Sequence, residues 1–264
     1  MHHGSPTGVA AQPNNPVRPL SSDFARQARA EWELFFADPI RANELADASA
    51  DINLRRVLDV GCGGGQELIP FVRRGAKTIG IDLSIEVGDV TRELHSTLGY
   101  PRKPAFICGA GEALPFRDGA FDVVVCRLAL PYMEIRTALA EMIRVLQLGG
   151  VLILQVHAAR YYVETFISGF VRGNLRRMKH AIKAVIAGAV YHLYGRHLQS
   201  RLLGKETFQS EWQLRREVKN AGGKLRRRLP VANKRAPVYL ISKSQADSSD
   251  DANVGGVLRG ARIR

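Results

Sequence analysis

The chain has 264 residues, 45% hydrophobic and 24% charged, a composition that supports a sizeable core and excludes a disordered or low-complexity protein. Its formal charge of +13 is uneven: residues 1–159 hold 16 Lys and Arg against 18 Asp and Glu, whereas residues 160–264 hold 22 against 7. The cysteines Cys62, Cys108 and Cys126 form no C-x-x-C pair, which argues against a disulfide framework and against a zinc site.

Residues 1–20, rich in Pro, Asn and Gly, are expected to be a disordered leader without the apolar core of a signal peptide. No apolar stretch approaches the ~20 residues of a membrane span, so a cytoplasmic protein is expected. From Ser22 to Ala48 a helical pattern carries Trp32, Phe35 and Phe36, and Asp38-Pro39 breaks it into two helices. These aromatics pack on the domain or wall a substrate site.

Val57, Leu58 and Val60 then form the short apolar run of a strand buried on both faces. It opens into Gly61, Gly63, Gly64 and Gly65, where positive φ and close backbone approach to a ligand are permitted. Apolar residues at helical spacing follow from Glu67. Strand, glycine turn and helix form the opening of a nucleotide-binding α/β fold, with the ligand at the carboxyl end of the strand. Gln66 stands where a dinucleotide fingerprint requires Gly or Ala, and Asp59 lies two positions before the first glycine. Ala76 to Asp82 reads as the second strand. Asp82 lies 21 residues beyond Gly61, placed to accept from the ribose hydroxyls of a nucleoside. Ser84 to Leu98 reads as a helix capped by Ser84, and Pro104 to Cys108 as the third strand.

Asp-x-Gly-x-Gly-x-Gly at residues 59–65 resembles the first motif of the class I S-adenosylmethionine (SAM) methyltransferases. GAGEALPF at 109–116 looks like the family's loop beneath the adenine, and FDVVVC at 121–126 like its fourth strand. EMIRVLQLGGVLIL at 141–154 resembles the following helix, a glycine turn at Gly149-Gly150, and the fifth strand at Val151–Val156. The chain departs from the family at Ala110, where many relatives place an acid toward the adenine amino group. The resemblance covers residues 55–157, and is closest to small-molecule enzymes of the ubiquinone and menaquinone type.

It implies an α/β fold, a doubly wound and mostly parallel seven-stranded sheet with an antiparallel last strand. Thr207–Ala221 would be a helix, and Lys224–Ala232 and Pro237–Lys243 the final strands. The domain would run over 21–243 with a helical insertion at 158–206 after the fifth strand, and 244–264 would be a disordered tail. It also implies SAM as cofactor. Asp59, Gly61, Cys62, Gly63 and Gln66 would line its methionine and ribose region, with Asp82 on the ribose and Leu83 beside the adenine. Gly111 and Glu112 would sit at the adenine edge, and Arg127 and Leu130 near the methionine end. His157 and Tyr132, just past the fifth and fourth strands, are candidate bases, His157 the better placed of the two although it reads more readily as a structural histidine.

Within the insertion, apolar residues from Phe166 to Leu193 recur at helical spacing, with Arg172, Arg176, Lys179 and Lys183 on another side. A basic amphipathic helix over 166–198, single or hinged near Gly188, has three readings. It is a solvated helix, a lid that docks on an anionic membrane or guides a lipid-like substrate, or a nucleic-acid surface. Ala129-Leu130-Pro131-Tyr132 lacks the Asn/Asp-Pro-Pro-aromatic signature of exocyclic-amine methylation, and no Pro-Cys marks a pyrimidine nucleophile, so a small-molecule or lipid-like acceptor is favoured over RNA. A protein that binds SAM or a membrane without transferring a methyl group is the rival class.

Overall fold

A computed structural model describes residues 22–100, 103–195, 206–229 and 235–244. The expected disordered leader, and the expected tail beyond Ser244, lie outside the described residues. Seven strands form one sheet: β1 (Arg56–Val60), β2 (Lys77–Asp82), β3 (Ala105–Cys108), β4 (Phe121–Arg127), β5 (Leu146–Gln155), β6 (Gly223–Arg228) and β7 (Val238–Lys243). Their order is β3-β2-β1-β4-β5-β7-β6. The first five run parallel, and β7 pairs antiparallel with both β5 and β6.

The eight α-helices of the described residues are α1 (Asp23–Ala37), α2 (Pro39–Ala48), α3 (Ile69–Arg73), α4 (Val87–Ser96), α5 (Ile135–Val145), α6 (Ala159–Val171), α7 (Leu175–Tyr194) and α8 (Glu211–Asn220). None is long and apolar enough to cross a membrane.

Central strands covered on both sides read as unbroken apolar runs. Alternation divides them between two cores. Leu58, Val60, Val124, Cys126, Leu152 and Leu154 join Leu139 and Met142 of α5 on one face. Val57, Val123, Val125 and Ile153 join Leu45 and Phe71 on the other. Each such side chain contributes on the order of 1.5–3 kcal/mol by burial. The fully buried Asp122 ties the starts of two strands together, its Oδ2 accepting from the N–H groups of Arg55 and Arg56 at 2.7 and 2.6 Å.

Four boundaries differ from expectation. Helix α8 begins at Glu211 rather than Thr207, capped by the Ser210 side chain. Helix α4 begins at Val87 rather than Ser84, because Ser84 Oγ accepts from the Glu86 N–H in a turn that precedes the helix. Helix α5 stops at Val145, before Gly149-Gly150: Leu146 turns extended and pairs with Phe121, and the glycines lie inside β5 at the register shift before Val123↔Val151. The insertion is a hairpin that turns at Arg172–Asn174, where Gly173 adopts φ +62° and Asn174 caps α7. Gly188 is no hinge. It lies within α7, where its missing side chain lets the Phe208 ring pack on the helix: a Cβ there would stand 2.2 Å from that ring.

Candidate functional site

The carboxyl ends of β1, β2 and β4 open onto a cleft of about 380 Å³, a size suited to a small organic ligand. Its floor is the glycine turn. Gly61 and Cys62 donate to the Ile81 carbonyl at 2.8 and 3.1 Å, which pins the turn to β2. Gly63, at φ +50°, donates to Asp82 Oδ2 at 3.0 Å and has no atom within 4 Å of where a Cβ would stand. It is therefore an open cradle. Gly61, by contrast, would place a Cβ 2.3 Å from that of Ala129. After β4 the chain turns through Leu128 at φ +61°, the sole non-glycine with positive φ among the described residues, and Leu128 also lines the cleft. A branched side chain held in that region stores on the order of 1–3 kcal/mol, a feature of ligand-binding turns.

Alternation along β1 and β4 aims Asp59 and Arg127 to the same side of the sheet. There Glu67 accepts from Arg41 Nε at 2.7 Å and faces Arg127 Nε at 3.5 Å. Arg41 also reaches Glu31 at 3.3 Å, and Arg127 donates to Gln155 at 2.9 Å. Asp59 is 1% exposed, and its Oδ2 has no hydrogen-bond partner among the described residues; nor has Arg127 Nη1. Burial, then the neighbouring carboxylates of Glu67 and Asp82, push the Asp59 carboxyl well above the usual range. A buried acceptor beside an open glycine cradle is an incomplete polar site that a cationic ligand group would complete. Asp82 accepts from Gly63 and Ser84 N–H groups, one on each oxygen, and keeps a second lone pair on each for a ligand hydroxyl. The donor set fits the ammonium and ribose of SAM.

Tyr132 and His157 line the same cleft. The His157 ring stacks on Tyr161 at 4.0 Å, and Nδ1 has no partner among the described residues. Burial holds its pKa below the ordinary histidine value, more than Glu206 raises it. Glu206 is the hub of this group. It accepts from the Tyr162 hydroxyl at 2.7 Å, faces His180 Nε2 at 3.3 Å, and holds the Tyr132 hydroxyl. Half of Tyr132 is exposed, yet desolvation of its hydroxyl and then the Glu206 charge raise its pKa.

Of the residues singled out from sequence, Asp59, Gly61, Cys62, Gly63, Gln66, Asp82, Leu83, Gly111, Arg127, Tyr132 and His157 all line this cleft. Two do not. Leu130 is fully buried in the core with α5, because the short turn of Leu130–Tyr132 directs it inward. Glu112 Oε1 instead accepts the Glu134 N–H at 2.8 Å, fastening the adenine-side loop to the start of α5. The Cys62 thiol is buried against Gly80, and burial raises its pKa, so it contributes shape rather than a nucleophile.

Sequence reasoning missed Arg41, Glu67 and Glu206: the Arg41–Glu67 contact spans 26 residues and the Tyr162–Glu206 contact 44. It also left open the role of α1, which contributes Phe24, Gln27 and Glu31 to the cleft wall.

Comparison with known proteins places this geometry. The methyltransferase-domain family model matches residues 58–154. The chain is 35% identical over 113 residues to a demethylmenaquinone methyltransferase of Renibacterium salmoninarum, covering 42% of this chain and 44% of the relative. It is 40% identical over 97 residues to a ubiquinone biosynthesis O-methyltransferase of Burkholderia thailandensis, covering 36% and 40%. It thus spans less than half the length of these curated relatives. A crystal structure of a SAM-dependent methyltransferase from Clostridium acetobutylicum superposes with a TM-score of 0.58 at 13% identity, over 85% of this chain and all of that one, and shares the fold. Residues 58–154 thus match a methyltransferase domain, and the chain has the fold of a solved SAM-dependent methyltransferase.

Proposed function

We propose that the protein transfers the methyl group of SAM to a hydroxyl or similar nucleophile on a small-molecule or lipid-like acceptor. The observation that carries this reading is one cleft lined by an unpartnered buried carboxylate, a glycine cradle, His157 and a Tyr132 whose hydroxyl Glu206 holds. The quinone-type activities named for the two curated relatives support an amphiphilic acceptor.

Asp59 would take the ammonium of the cofactor, Arg127 its carboxylate, and Asp82 the ribose hydroxyls, while Leu83 flanks the adenine. Gly61 and Gly63 let the backbone approach closely. When bound, SAM supplies a methyl carbon on a positively charged sulfur, open to in-line attack. The protein's task is then to hold the acceptor in line and to take its proton. The His157 imidazole, stacked on Tyr161 and kept neutral by burial, accepts the proton lost by the acceptor hydroxyl. Tyr132 donates to Glu206 and turns its oxygen lone pairs to the acceptor, so Glu206 acts as a positioning residue.

The test is time-dependent formation of S-adenosylhomocysteine from SAM with a panel of phenols, quinols and fatty acids, beside calorimetry of SAM binding. Binding with turnover on an amphiphilic acceptor is expected. Binding without turnover on any of them would leave a SAM-binding protein and defeat the transferase reading.

A further inference from the structure

The hairpin of α6 and α7 is built the wrong way round for water. Along α7 the buried face is small: Ala181, Ala184, Ala187 and Gly188, closed by Tyr191. The large aliphatics point outward, with Leu175 65%, Ile182 45%, Ile186 45% and Leu193 77% exposed. Spaced by seven, four and seven residues, these four lie within about 40° of a single line along the helix at ~100° per residue. Phe170 and Val171, 70% and 77% exposed, extend the apolar surface to the hairpin tip. Of the eighteen large apolar side chains exposed among the described residues, ten stand on these two helices of 13 and 20 residues. Such concentration marks a contact surface rather than scattered exposure.

Charge identifies what covers it. Between Glu164 and Glu206 the sequence holds no carboxylate at all. Arg176, Lys179 and Lys183 run along one flank of the stripe, all exposed, and Arg172 stands at the tip. A second copy of the chain would bring two such cationic faces together. A nucleic acid would use the cations and leave the aliphatic stripe in water. An apolar stripe edged by cations is the pattern of a helix lying in an anionic bilayer surface.

We propose that the α6–α7 hairpin docks on an anionic lipid membrane, with the line Leu175–Ile182–Ile186–Leu193 entering the acyl boundary and Arg176, Lys179 and Lys183 on the headgroups. The surface is separate from the cleft, so this inference does not depend on the methyl-transfer reading. It does link the cleft to the membrane, because Tyr162 and His180 of the same helices meet Glu206, which holds the cleft-lining Tyr132.

Flotation of the full chain with phosphatidylcholine vesicles, with and without phosphatidylglycerol, tests it. Binding to the anionic vesicles should exceed that to neutral ones by at least ~10-fold. Lys179→Glu with Lys183→Glu, and separately Ile182→Ser with Ile186→Ser, should each lower it by ~10-fold or more, while circular dichroism and the thermal midpoint stay at the parent values. All four positions are exposed and outside the catalytic cluster. Equal and weak binding to both vesicles overturns the proposal, as does binding that survives the serine variant. Two other results also overturn it when vesicle binding is absent: a dimer that the serine variant dissociates, or RNA binding that only the lysine reversals abolish.

Discussion

At the residue scale, one glycine separates ligand binding from folding. Gly63→Ala meets no atom within 4 Å, so its cost to stability is that of the left-handed conformation, about 1–2 kcal/mol. Its methyl group fills the cradle, and SAM affinity should fall at least ~10-fold. Calorimetry beside chemical denaturation checks both, and a variant that binds normally would show that the cradle is not used. For His157, the pKa lies below 6.5, so the ring stays neutral and able to accept a proton until the pH drops below that value. The acid limb of the turnover profile should therefore fall below pH 6.5. His157→Gln should slow turnover by ~100-fold with SAM affinity retained. A limb at or above 6.5, or retained turnover, removes the residue from the mechanism. That Asp59, Gly63, Asp82 and His157 would line one cleft was legible in sequence, because strand and turn geometry fixes their places locally. Glu206 was not, because its importance comes from Tyr132, Tyr162 and His180, which reach it from three different elements.

At the element scale, the strands of the sheet were readable because each buried strand is a short apolar run between turn residues. The end of α5 was misplaced because two glycines in a row resemble a helix stop; here the pairing of Leu146 with Phe121 ends the helix first. The insertion was read as helical with its break misplaced, since glycine signals a bend only where no neighbour presses on it. Gly188→Ala makes that concrete. The added methyl group meets the Phe208 ring at 2.2 Å, and the hairpin loses its seat at a cost of ~1–3 kcal/mol. Phe208 lies two residues from Glu206, so the variant should also raise KM for the acceptor. Ordinary stability together with ordinary KM would mean that the contact is slack.

At the scale of the whole molecule, the cleft trades stability for binding. The Asp59 carboxyl has a raised pKa in the folded protein. As pH rises above about 3.8, the unfolded chain releases a proton that the folded chain still holds, so stability falls until the folded value is passed. Asp59→Asn removes that loss and should raise the thermal midpoint of the ligand-free protein by ~2–4 °C, while weakening SAM binding. A lowered midpoint would mean that the carboxylate is compensated within the fold. The wild type should also release protons when it binds a ligand ammonium, visible as binding heats that differ between buffers.

One wall of the cleft stands apart from the sheet. Helix α1 is held by a small cluster of Ala25, Ala28 and Val90 with Phe24 and Leu94 against it, by Trp32 on the His95 ring at 4.8 Å, and by the Arg29–Glu93 pair at 2.6 Å. The other walls are anchored in the two main cores. Local opening should therefore begin at α1, and its amides should exchange with deuterium fastest among the cleft walls. If the spent cofactor leaves by that route, Ala28→Gly should shorten its residence time without altering the proton-transfer step. The tempo of turnover would then be written in the small side chains that seat α1 on α4, none of which takes part in the proton transfer.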